Sequence, residues 1–176
     1  LSLTSNSGDI TVNGATQGNG TGVLAYSTST TWTLNAPSGN VSVLGYTPNA
    51  GTNGISNGTS YSSINAGGHI TLSAAGGSNS TSNGAVFLQQ FVARAGGNFT
   101  IQGATLSGNS AAAAPGVAAT AAGYGVHIPV NSTQTLGGVA YNGIVAAGNI
   151  SIVGSGASGI YNADPLLSTG GTLTLT

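Results

Sequence analysis

A five-residue pattern recurs six times along this chain: Gly, then in most copies Asn, Asp or His, then an apolar residue, Ser or Thr, and a second apolar residue. The copies begin at Gly8, Gly39, Gly68, Gly97, Gly148 and Gly171, at intervals of 31, 29, 29, 51 and 23 residues. Self-similarity at such a period is the signature of a solenoid. No unit of a solenoid buries its own apolar face, and each obtains that burial from its neighbours.

Inside each copy the alternation is that of a β-strand, which sends Ile10 and Val12 to one side and Thr11 to the other. Two further short apolar runs lie between copies. One set is Val23-Leu24, Ile55, Val86-Phe87-Leu88, Val126-His127-Ile128 and Ile160-Tyr161. The other is Trp32-Thr33-Leu34, Ile64, Phe91-Val92, Ile144-Val145 and Leu166-Leu167. Three strands per period, joined by Gly, Asn and Ser turns with no helical periodicity, predict an all-β fold. The expected form is a right-handed, three-sided parallel β-helix of about six coils.

Stacking the coils predicts one interior column of Ile10, Val41, Ile70, Phe99, Ile150 and Leu173, and a second of Val12, Val43, Leu72, Ile101, Ile152 and Leu175. Thr11, Ser42, Thr71, Thr100, Ser151 and Thr174 become an outward hydroxyl ladder. Residues 1–176 are expected to form one unit. The 51-residue interval predicts a loop excursion at about 106–141, its larger part at 106–124 around Pro115 and a smaller loop at 131–141. One additional degenerate coil is the alternative. Both ends carry strand-like sequence with no capping element, so the chain is expected to be a segment of a longer solenoid that starts after any export signal.

The polar surface of such a tube carries almost no charge. Arg94 is the one basic residue, and Asp9 and Asp164 are the two acids, against an apolar share of 39% that suffices for a core. Nucleic acid and anionic membrane surfaces are therefore not expected as partners, because both are bound largely through cationic side chains. Membrane insertion is not expected either: the Ala-rich stretch at 111–130 is broken by Pro115, Gly116, Gly123, Gly125 and Pro129. The absence of Cys excludes disulfides and thiolate metal sites.

Chemistry has little to work with. Glycoside hydrolysis generally needs two carboxylates flanking one bond. Asp9 and Asp164 fall near opposite ends of the tube, and both read as turn residues. His69 takes the turn position held by Asn40, Asn98 and Asn149, and His127 alternates with Val126 and Ile128 and should point outward. No catalytic residue, cofactor or metal site is expected. Asn57, Asn79 and Asn131 lie in glycosylation sequons on expected surface loops. Trp32 is expected to fill a core corner beside Phe87 and Phe91. The tyrosines at 26, 46, 61, 124, 141 and 161 read as corner covers, with a sugar-stacking platform as the functional alternative. Tyr124, His127 and Tyr141 are the candidate contact residues.

The Gly-Asn-apolar-Thr-apolar coils, with turns such as Ala95-Gly96-Gly97-Asn98 and Ala66-Gly67-Gly68-His69, resemble filamentous haemagglutinin-like exoproteins. These are two-partner-secreted bacterial proteins that include adhesins and the stalks of contact-dependent growth-inhibition toxins. Autotransporter passengers use the same fold. The family's amino-terminal Asn-Pro-Asn motifs are absent, Thr47-Pro48-Asn49 being the nearest approach, so the segment looks like shaft. The resemblance implies export through an outer-membrane secretion pore, display at the bacterial cell surface and fibre packing. The expected role is a structural or adhesive shaft that meets a cell-surface receptor or glycan on a host or neighbouring cell. An ice-binding β-helix module and a polysaccharide-active enzyme are the rival classes.

Overall fold

The computed structural model describes residues 2–17, 20–24, 32–48, 52–57, 61–76, 84–105, 123–130, 132–136, 138–156 and 158–176. Among them there is no helix, and the strands stack into three parallel sheets. The first face is built from the repeat itself: Ile10–Ala15, Val41–Tyr46, Ile70–Ala75, Phe99–Ala104, Ile150–Ser155 and Leu173–Leu175. A shorter second face holds Val23–Leu24, Ile55–Ser56, Gly84–Phe87, Tyr124–Ile128 and Ile160–Asn162. The third holds Ser2–Thr4, Trp32–Ala36, Ser62–Ala66, Phe91–Ala95, Ile144–Ala146 and Leu166–Ser168. The chain visits the faces in turn and returns to each one rung higher, which makes a three-sided parallel β-helix.

On the first face the register runs Ile10, Val41, Ile70, Phe99, Ile150, Leu173, and two residues on it runs Val12, Val43, Leu72, Ile101, Ile152, Leu175. Thr11, Ser42, Thr71, Thr100, Ser151 and Thr174 align between them and point away from the core. From Val41 to Ile152 both apolar columns are buried in one continuous cluster. The two outer rungs depart from an all-interior column: Leu173 and Leu175 are 50% and 54% exposed and Val12 is part-buried, because each of these rungs pairs with a coil on one side only. Phe99 pairs directly with Ile150, so the 51-residue interval is a single coil and not two.

The turn before each first-face strand is held by a second ladder. Asp9 Oδ1 accepts the Asn40 N–H at 2.7 Å, Asn40 Oδ1 accepts from His69 N at 2.7 Å, and His69 Nδ1 accepts from Asn98 N at 2.9 Å. Asn98 Oδ1 then accepts from Asn149 N at 2.9 Å, and Asn149 Oδ1 from Thr172 N at 2.8 Å. One side-chain acceptor per coil thus ties each turn to the next, at about 1 kcal/mol per bond. His69 serves here as an imidazole acceptor in an asparagine's place.

The corner between first and second faces explains another part of the repeat. Two backbones meet there with no room for a side chain: a Cβ on Gly45 would lie 2.0 Å from the Gly54 carbonyl oxygen, and one on Gly103 2.0 Å from that of Gly125. Gly45→Ala is therefore expected to destabilise the chain by about 2 kcal/mol, since the clash is with backbone that other rungs hold in place. A urea midpoint unchanged from the parent protein would contradict that geometry.

Candidate contact surface

Residues Thr133–Leu136 and Val139–Asn142 form an antiparallel hairpin, and it stands outside the tube. Its root is closed by the Gly143 N–H, which donates to the Ser132 carbonyl at 2.9 Å. Both strands pack on Phe91–Ala95, and the first also on Ser62–Ala66, so the hairpin lies over the third face. This accounts for Val92 and Ser63, which alternate with the inward residues Phe91, Ala93 and Ile64 and yet are buried. Gln134 fastens the overlay, donating from Nε2 to the carbonyls of Ser62 and Gln90, both at 3.1 Å.

Between the hairpin and the third face lies a groove of about 460 Å³, bordered by Thr33, Asn35, Asn65, Gln134, Thr135 and Leu136. Its floor is a row of amides. Arg94 Nη1 donates to Asn65 Oδ1 at 3.2 Å, and Asn65 Nδ2 donates to Asn35 Oδ1 at 2.8 Å. The walls carry amides and hydroxyls with the Leu136 side chain among them.

The second face carries an aromatic cluster on its outer side. His127 stacks on Tyr124 with ring centroids 4.5 Å apart, meets Tyr161 edge-on at 5.2 Å and lies 5.3 Å from Phe87. His127 points outward from its strand, but these rings leave it only 9% exposed, while Tyr161 stays open to solvent. Phe87 is in this outer cluster and not beside Trp32. Trp32 is buried on the third face, in register with Ser62 and Phe91. Of the three candidate contact residues, Tyr124 and His127 are brought together, whereas Tyr141 sits on the hairpin opposite Gln134.

Asp164 is the largest departure from the expected turn role. It is 4% exposed, and its Oδ1 accepts the Ser132 N–H at 3.0 Å beneath the root of the hairpin. Its Oδ2, like Ser132 Oγ and Asn162 Oδ1, is buried with no partner among the described residues. Burial pushes this carboxyl up from 3.8 to about 7, against the smaller downward pull of the Ser132 N–H. Asp9 stays exposed on the first rung of the first face, and no other acid lies between them.

Among the described residues no group of three or more His, Asp or Glu is placed to hold a metal ion. Asn57, in one of the sequons, is buried and not a surface acceptor; it bonds Ser62 Oγ and the backbone of Gln89. Asn79, Asn131, Tyr26 and the 106–122 part of the expected excursion lie outside the described residues. No protein-family model, curated protein or solved structure matches the chain. Fold and surface together define a class, the three-sided parallel β-helix with a hairpin laid over one face.

Proposed function

We propose that this chain is a structural and adhesive shaft of a secreted bacterial surface fibre, without catalytic activity, that meets a receptor or glycan on another cell. The observation that carries the reading is the contrast between a regular tube and a single built overlay. Six rungs repeat one register on the first face, and the hairpin 133–142 adds a bordered groove to the third. The rungs supply length, because a stack of coils extends by about 4.8 Å for each one added. The hairpin supplies a local surface for contact. The two acids support a non-enzymatic role, since Asp9 and Asp164 stand at opposite ends of the stack and share no substrate-sized space. Export through an outer-membrane pore and fibre packing belong to the same proposal.

The test exploits the closed root of the hairpin. Replacing 133–142 by a short Gly-Ser link between Ser132 and Gly143 should leave the β-rich circular dichroism spectrum in place and lower binding to cells several-fold. Failure of the intact chain to bind any cell would overturn the adhesive role. Turnover of a polysaccharide would overturn the non-enzymatic one.

A further inference from the structure

The groove under the hairpin has a chemical direction. A guanidinium only donates hydrogen bonds, so Asn65 must turn its Oδ1 toward Arg94. The Asn65 NH₂ then faces Asn35, which must in turn present its own Oδ1. This leaves the Asn35 NH₂ as the end of the relay, at the rung where Thr4 pairs with it. The only cation of the chain therefore fixes which atom of an uncharged amide faces the groove. The remaining border repeats the theme, with Thr33 and Thr135 hydroxyls and the exposed Pro37 ring to meet a C–H surface. A volume of about 460 Å³ is within the range of small-molecule sites, roughly 300–1,000 Å³.

We propose that this groove binds a neutral saccharide, with the Asn35 amide donating to a hydroxyl or ring oxygen and Arg94 acting as the positioning residue that orients that amide. A sugar offers what the lining asks for, namely acceptors and donors in neutral pairs beside a C–H face. An acidic ligand fits less well, because no charged side chain borders the groove and Arg94 meets it only through the Asn65 amide. The inference rests on the adhesive reading above and adds the ligand class and the atoms that recognise it.

Titration of the ¹⁵N-asparagine-labelled chain with neutral oligosaccharides of glucose, galactose and N-acetylglucosamine should shift the Asn35 side-chain amide resonances. Asn35→Asp keeps the oxygen that accepts from Asn65 but removes the donor, and it should weaken binding about tenfold or more with an unchanged melting curve. Arg94→Gln lets the relay reverse and should weaken binding too, while Arg94→Lys, a pure donor, should rescue it. A role of Arg94 in folding alone would not separate those two variants.

The proposal is overturned if no neutral sugar perturbs the Asn35 amide, if only sialylated or sulfated sugars bind, or if Asn35→Asp binds like the parent. Cell adhesion separates the two levels of the argument. If it persists in a chain whose groove binds no sugar, the saccharide site falls and the adhesive shaft stands. If the intact chain binds sugar but no cell, the shaft reading falls and the site stands.

Discussion

Asp164→Asn is expected to make the protein more stable at pH 8, by on the order of 3 kcal/mol, and to flatten its stability between pH 4 and 7. In the unfolded chain the carboxyl loses its proton near 3.8, whereas in the folded chain burial keeps it protonated until about 7. Through that window the folded state binds the extra proton, so stability is fully present below about pH 4 and falls as pH rises to 7. At about 1.4 kcal/mol for each pH unit between the two values, the loss is on the order of 4 kcal/mol. Asn removes the charge and still offers an oxygen to the Ser132 N–H. With only two acids and two histidines in the whole chain, few other groups can mask the effect. Urea midpoints at pH 4, 6 and 8 check it. A parent protein equally stable at all three would show that the carboxyl is better solvated than its 4% exposure implies.

Phe99→Ala is expected to cost about 3–5 kcal/mol, among the largest losses for a single core truncation in this tube. The ring is fully buried between Ile70 below and Ile150 above, and it meets Phe91 across the interior at 6.3 Å. Its rung lies in the middle of the stack, so the cavity weakens two coil-to-coil interfaces at once. Hydrogen exchange should accelerate at Thr71, Thr100 and Ser151 more than at Thr11. Phe99→Leu should recover most of the loss. A cost below about 1 kcal/mol for the Ala variant would mean that the coils collapse onto the vacancy more freely than a stacked register permits.

The first face is legible in the sequence because the Gly-Asn turn restarts the strand at the same phase in every coil. Ile10, Val41 and Ile70 can be aligned with no knowledge of what lies between them. The second face is harder, since Val86-Phe87-Leu88 is apolar at three successive positions and alternation cannot say which one points out. That ambiguity is why Phe87 is read as core and is found beside His127. The hairpin has a readable signal that the loop reading passes over: Thr133 to Leu136 and Val139 to Asn142 are separated by Gly137-Gly138, a two-residue hairpin linker. Gly138 adopts the positive φ of 83° that such a linker uses. The burial of Asp164 has no local signal at all. It depends on Ser132, 32 residues away, being laid over the turn by the inserted strands.

The same parallel stacking also sets how such a tube would answer a pull along its axis. Tension would act across the strands, opening one row of backbone bonds after another like a zip, and a coil of 29 residues would pay out about 100 Å of extended chain. That coil occupies about 4.8 Å when wound. A tube made this way would yield one coil at a time, each step releasing about twenty times the length it took from the stack, so a rising load would be met by lengthening.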